Sequence, residues 1–329
     1  YDDRLSKQLF HDLRIPEADA NLDVGSGSHA FQTARMLEGL EAAVDRFDIE
    51  LFVCYGDTNS TLAAALVAAK LNTPCVHVEA GLRSGDRRMP EEVNRIVADH
   101  VCDLLLAPTQ GAINNLRREN LGSRSYFTGD VMLDALERNI RLLDECSEAN
   151  EFAGSYALAT IHRAENTVPG QLGGILIAVE NLVDELGAVV FPVHPRTMNV
   201  ISAHHSDWLN RTRVKVLPPV GYLEMLELMR KARLIVTDSG GVQKEALFVG
   251  TPCVTVRDST EWPETIELGA NRLVGNVAES IVSGCRSALA DPGDPGLWLR
   301  AREAFGGGRA ADRVVDSVVA LLERRAQGG

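Results

Sequence analysis

Leu234-Ile235-Val236-Thr237-Asp238-Ser239-Gly240-Gly241-Val242-Gln243-Lys244-Glu245 runs from four strand-forming residues through a small polar turn into an apolar-periodic stretch. A short continuous apolar run, bounded by turn residues and followed by helical periodicity, predicts a strand buried on both faces, a tight turn and a helix. The same alternation recurs outward from this point. Apolar runs of strand length lie at 51–55, 75–78, 104–107, 156–159, 188–191 and 254–256. Helices are predicted over 58–71 and 91–100, the second beginning just after Pro90, and over about 28–46, 130–146, 170–185 and 241–249. The fold class expected is α/β, with two doubly wound, Rossmann-like domains.

Length agrees with two domains: the chain has 329 residues, against roughly 150 per domain. The polar stretch 144–154 lacks apolar periodicity and contains Asn150 and Gly154, so the boundary is expected near residue 150, giving domains of 1–150 and 151–329. A last apolar-periodic helix at about 309–326 is expected to pack back on the first domain. Ligands of doubly wound sheets bind beyond the carboxyl ends of the strands, so a cleft between the two sheets is the expected site.

Composition narrows the partners. Thirty-three Lys plus Arg against 46 Asp plus Glu leave a net charge of −13, which disfavours a sequence-independent grip on nucleic acid or an anionic membrane. No run approaches the roughly 18 apolar residues of a membrane span, and no signal-peptide pattern opens the chain, so a cytoplasmic protein is expected. The six cysteines, Cys54, Cys75, Cys102, Cys146, Cys253 and Cys285, form no CxxC pair and sit in apolar contexts. They read as buried free thiols rather than a disulfide framework or a zinc site.

Three groups of residues carry chemistry. At Asp238–Glu245, two glycines at a strand-to-helix turn let backbone N–H groups approach a phosphate at a helix N-terminus. Ser239 adds a hydroxyl, and Glu245, one turn on, can accept from ribose hydroxyls; the plainer alternative is that Asp238 and Ser239 only cap the helix. No Walker Lys-Ser/Thr follows, and no GxGxxG follows any strand, so a nicotinamide cofactor is not indicated.

The second group is Asp57 and Glu79, each at a strand end, with Glu91 in the first turn of the next helix. Carboxylates converging in a partly dry cleft spread their pKa values and permit one acid and one base. Helix capping is an equal reading for Asp57, whereas an acidic residue ending a buried strand is harder to explain structurally. The third group is His162-Arg163 and His194, just past strands, where they can meet an anionic ligand as donors. Arg257 follows another strand as a weaker candidate. His77, between valines, reads as a core histidine.

Taken in order, Gly56-Asp57-Thr58, His77 to Arg83, Pro90 to Arg95, His162 to Asn166, His194-Pro195, Asp238 to Glu245 and Arg257 to Glu264 resemble the non-hydrolysing UDP-N-acetylglucosamine 2-epimerase family. Asp57 and Glu79 stand twenty-two residues apart on successive strand ends, as that pattern expects. The resemblance implies a GT-B-like pair of domains, the second holding UDP, and a homodimer acting in polysaccharide biosynthesis without cofactor or metal. It implies loss of the sugar C2 proton as UDP leaves C1, then re-addition with inverted C2. Asp57, Glu79, Glu91 and His162 become the catalytic set. Arg83, Arg163, His194, Ser239, Gly240, Gly241, Glu245 and Arg257 become the substrate-binding set.

Two departures stand out. The family opens with a strand and a Gly-Thr-Arg-Pro-Glu loop, and this chain begins after it; the expectation is that the segment precedes Tyr1. The region 87–90 and Trp262 look like a subgroup variant, which keeps a UDP-2,3-diacetamido-glucuronic acid 2-epimerase open as an alternative. A GT-B glycosyltransferase is the other alternative, disfavoured because it has less use for several proton-transfer groups.

Overall fold

In the computed structural model, which describes residues 10, 13, 15–145, 156–291 and 296–328, the alternating strands and helices build two parallel sheets. In chain order the first elements are α1 (His29–Phe47), β1 (Phe52–Tyr55), α2 (Asn59–Leu71), β2 (Cys75–Val78), α3 (Pro90–Val101), β3 (Leu104–Ala107), α4 (Gln110–Arg118), β4 (Ser125–Phe127) and α5 (Val131–Glu145). There follow β5 (Ala157–Thr160), α6 (Pro169–Leu186), β6 (Val189–Pro192), α7 (Pro195–His204), α8 (Ser206–Arg211), β7 (Lys215–Leu217), α9 (Tyr222–Lys231), β8 (Leu234–Thr237) and α10 (Gly240–Val249). The last are β9 (Cys253–Thr255), α11 (Pro263–Glu267), β10 (Asn271–Leu273), α12 (Ala278–Ala290), α13 (Leu297–Ala304) and α14 (Ala310–Gly328).

Two compact units result, one of Tyr1–Ala135 with Glu303–Gly329, the other of Leu136–Arg302. The division falls inside α5, and much of the stretch read as a linker, 146–155, lies outside the described residues, as does Cys146. In the first unit the strand order is β1-β2-β3-β4, all parallel. Val76 and Val78 of β2 and Leu104 and Leu106 of β3 form a core with Val314 of α14, against which Val318 and Leu321 also pack. The approach is close: a Cβ on Gly129 would sit 2.7 Å from the Gly306 Cα, so only glycine fits. Arg313 Nη1 donates to the carbonyls of Thr128 and Gly306 and clamps that junction.

The second unit is a six-stranded parallel sheet of order β10-β9-β8-β5-β6-β7. This is the doubly wound pattern, with its switch point between β5 and β8, where the connections diverge and open a crevice. Strands β5, β6 and β8 are buried at every residue, which explains their uninterrupted apolar sequence. The apolar stripe of α6, including Leu172, Ile175, Leu176, Val179 and Leu182, shares the core with Ile281 and Cys285 of α12. No helix among the described residues is long and apolar enough to cross a membrane.

Candidate active site

The first unit gathers its polar groups beyond the ends of β1 and β2. Gly56 leaves β1 with a positive φ of 66° and Asp57 follows before Thr58 caps α2. Arg95, 2% exposed on α3, donates from Nε and Nη2 to Asp57 Oδ2 at 3.0 and 2.7 Å. Asn94 donates to the Asp57 carbonyl at 2.9 Å. The Asp57 carboxylate is therefore held by a fixed guanidinium but keeps 31% of its side chain exposed. Its partner across the turn is Glu79, which adopts φ 73°, a left-handed conformation that costs a residue with a Cβ about 1–3 kcal/mol. Its Oε2 lies 3.3 Å from where a Gly56 Cβ would stand, so the carboxylate rests over the Gly56–Asp57 turn.

Glu91 sits half-buried in the first turn of α3. Its neighbour Glu92 is the buried one, accepting from the Ser84 and Gly85 amides, the Ser84 hydroxyl and Arg95 Nη1. Burial opposes its charge, but those amides and Arg95 prevail and hold the carboxyl below its ordinary range. Arg83 is drawn into the unit: it donates to both oxygens of Glu119, to the Leu82 carbonyl, and pairs with Asp99 at 2.7 Å.

His77 does more than fill the core. Nδ1 faces Asp99 Oδ1 and Nε2 faces the Gly56 carbonyl, both at 2.7 Å, and the side chain is fully buried. Since both partners only accept, both ring nitrogens donate and the imidazole is a cation. Burial alone would push its pKa down, but the hydrogen bond and charge of Asp99, with the Gly56 carbonyl, push it up to about 9. Asp99 also accepts from the Gly81 amide at 3.1 Å. One buried ion pair thus anchors both the Gly56–Asp57 turn and the loop after Glu79.

In the second unit the organiser is Asp238, fully buried just past β8 at the switch point. Its carboxylate accepts from the amides of His162 and Arg163 and from Asn166 Nδ2 at 3.0–3.1 Å. His162 Nδ1 lies 3.3 Å from Asp238 Oδ1, with the ring 40% exposed. The His162 and His194 rings stand 5.8 Å apart beside a cavity of roughly 210 Å³, lined also by Ile161, Pro219, Val220 and Ser239. His194 caps α7 by accepting from the Arg196 amide. Burial, then the neighbouring His162 ring and the Arg196 guanidinium, lower its pKa.

Ser239 caps α10, accepting from the Val242 amide at 3.4 Å, and its hydroxyl proton remains to be donated. Gly240 and Gly241 open α10, where helix amides and dipole favour an anion. A Cβ on Gly240 would stand 2.1 Å from Glu261 Oε1, so any larger residue there would have to displace that carboxylate. Glu261 pairs with the buried Arg257 at 3.0 Å and with Arg163 at 3.7 Å. Glu245 is buried and hydrogen-bonded to the Tyr222 hydroxyl; burial, then the charge of Glu245, push that phenol up. Lys244, also buried, places its ammonium 3.7 Å from the Trp262 ring centroid.

The structure therefore brings Asp57 with Glu79, and His162 with His194, Arg163 and Ser239. Sequence reading passed over Arg95, Asp99, Asn166 and Glu261 as site builders. Arg95 carried a usable signal, three residues after Glu92 on one helix face; Asp99 and Glu261 carried none, because their partners are distant in the chain or reached across a turn.

The chain is similar to known proteins over most of its length. The family model described as UDP-N-acetylglucosamine 2-epimerase matches residues 1–319. A UDP-N-acetylglucosamine 2-epimerase homolog of Methanococcus maripaludis is 44% identical over 86% of this chain and 80% of its own. UDP-2,3-diacetamido-2,3-dideoxy-D-glucuronate 2-epimerase of Pseudomonas aeruginosa is 42% identical over 98% of this chain and 89% of its own. The crystal structure of Methanocaldococcus jannaschii UDP-GlcNAc 2-epimerase, in complex with UDP-GlcNAc and UDP, superposes with a TM-score of 0.88 at 38% identity, covering 97% of this chain and 89% of that one. On the strand-end carboxylates, the switch-point cradle and these matches, the chain belongs to the UDP-N-acetylglucosamine 2-epimerase family.

Proposed function

We propose that the protein interconverts UDP-N-acetylglucosamine and UDP-N-acetylmannosamine. The observation that carries the reading is Glu79: a carboxylate held in a costly left-handed conformation at a strand end, over the turn that bears Asp57. Strain of that kind persists where the surrounding structure enforces it, most often at sites of function. In this reading Asp57, Glu79 and Glu91 form the proton-transfer set for C2, with the Arg95 guanidinium holding the Asp57 carboxylate in place. Ser239 and the amides of Gly240 and Gly241 receive the diphosphate as it leaves C1. His162 contacts it with Arg163, His194 and Arg257 as further donors, and Glu245 accepts from ribose. Concentrating fixed donors where charge develops on the leaving group is the larger contribution, and proton transfer adds about 10²–10⁴-fold. Elimination and re-addition move a proton rather than a hydride, so the scheme calls for no nicotinamide. The family resemblance extends the reading to a cytoplasmic homodimer that supplies a sugar nucleotide for polysaccharide biosynthesis.

The test is incubation with UDP-N-acetylglucosamine in deuterated water without NAD, followed by proton NMR. UDP-N-acetylmannosamine carrying deuterium at C2 is the expected product. Release of free N-acetylmannosamine would point to a hydrolysing enzyme, and protium retained at C2 would remove the proton-transfer scheme. A second reading, 2-epimerisation of UDP-2,3-diacetamido-glucuronate, is favoured by the 42% identity to the Pseudomonas aeruginosa enzyme over nearly the whole chain. It predicts turnover of that uronate with none of UDP-N-acetylglucosamine.

A further inference from the structure

Three thiols converge in the first unit where the proposed reaction uses none. Cys54 near the end of β1, Cys75 opening β2 and Cys102 at the C-cap of α3 hold their sulfurs within 4.8 Å of one another. Cys102 Sγ donates to Cys75 Sγ at 3.2 Å, and Cys54 Sγ lies 4.0 Å from Cys75 Sγ. Cys54 is 5% exposed and the other two are sealed from solvent. Ions bound to thiolates at about 2.3 Å and near-tetrahedral angles space their sulfurs about 3.8 Å apart. The observed spacings bracket that value, so three sulfurs reach one ion with small side-chain rotations.

The surroundings select the ion. A tetrahedral zinc site needs a fourth ligand, and the neighbouring imidazole, His77, is committed at both nitrogens to Asp99 and the Gly56 carbonyl. Three thiolates around a divalent ion would also leave one negative charge in a buried core, where the neighbouring His77 cation is already paired with Asp99, and an uncompensated buried charge is costly. A trivalent ion cancels all three charges. We propose that Cys54, Cys75 and Cys102 form a three-coordinate site for a trivalent thiophilic ion of the arsenite class. The reaction balances without redox change: arsenous acid and three thiols form three As–S bonds, break three As–O bonds and release three waters. Arsenous acid is uncharged near neutral pH, so it enters a buried thiol cluster more readily than a hydrated cation does.

The experiment incubates the full chain, kept reduced with a phosphine, with sodium arsenite, removes free arsenic by gel filtration and measures arsenic per chain alongside the near-ultraviolet sulfur-to-arsenic charge-transfer band. One arsenic per chain with that band is expected for the wild type. Cys54→Ser, Cys75→Ser and Cys102→Ser should each lose at least tenfold in retained arsenic, while Cys146→Ser, Cys253→Ser and Cys285→Ser keep it. Circular dichroism identifies any variant that fails to fold. The wild-type stoichiometry decides the matter even if all three cluster variants misfold: a chain that retains no arsenic, or shows no band, overturns the site. Equal retention by a folded Cys102→Ser protein also overturns it. Because the readout is binding, the outcome is independent of whether the chain epimerises a sugar nucleotide.

Discussion

Replacing His77 by Gln removes a buried cation and leaves Asp99 facing Arg83 and the Gly81 amide alone. The magnitude follows from the imidazole pKa, about 9 in the fold against an ordinary 6.5, which corresponds to about 3 kcal/mol. Because the folded value is the higher one, the folded chain binds the proton more tightly than the unfolded chain. That contribution is fully present below pH 6.5 and is lost as pH rises through about 9. Urea unfolding of wild type and His77→Gln at several values from pH 6 to pH 10 isolates it, since groups common to both proteins cancel in the difference. The stability gap between the two should be widest at pH 6 and shrink by about 3 kcal/mol by pH 10. A gap that stays constant to within about 0.5 kcal/mol would refute the buried imidazolium, because a neutral ring contributes no such slope.

Glu79→Gln should cut turnover by about 10²–10⁴-fold while UDP affinity, measured by calorimetry, stays within a few-fold; near-normal turnover would take Glu79 out of the proton-transfer set. Asp238→Asn sets an amide against three donors that now share one carboxylate, so unfolding should become easier by about 2–4 kcal/mol and UDP should bind at least roughly tenfold more weakly. Gly81→Ala puts a Cβ 2.5 Å from the Ala112 carbonyl at a φ of 85°, and a loss of about 2–4 kcal/mol in denaturant titration is expected. Arg95→Lys, which keeps charge but gives up the fork onto Asp57 and Glu92, should lower kcat with little change in UDP affinity; unchanged kcat would show that the fork does not matter to the chemistry.

Legibility followed burial. Strands buried on both faces, such as β2, β3, β5 and β8, announce themselves as apolar runs, and their helices announce themselves by caps and periodicity. The three-residue strands β4, β7 and β10 escaped notice. They lie at sheet edges and are partly exposed, so no apolar run marks them. Among the candidate site residues, those next to strand ends, Asp57, Glu79, His162, His194 and Ser239, stand out in the sequence because a strand end in a doubly wound sheet is where ligands meet the chain.

What the order of residues determines by itself is therefore the α/β class, the placement of the strand-end groups and, through the ordered motifs, the family. What tertiary structure alone decides is how those groups are held. His77 is a cation because folding brings it an aspartate twenty-two residues away, and Asp238 organises a loop seventy-six residues before it. Arg83 is spent on Asp99 and Glu119 inside its own unit. Charge state and hydrogen-bond partners depend on distances of about 3 Å between residues remote in sequence, and local pattern carries no record of those distances.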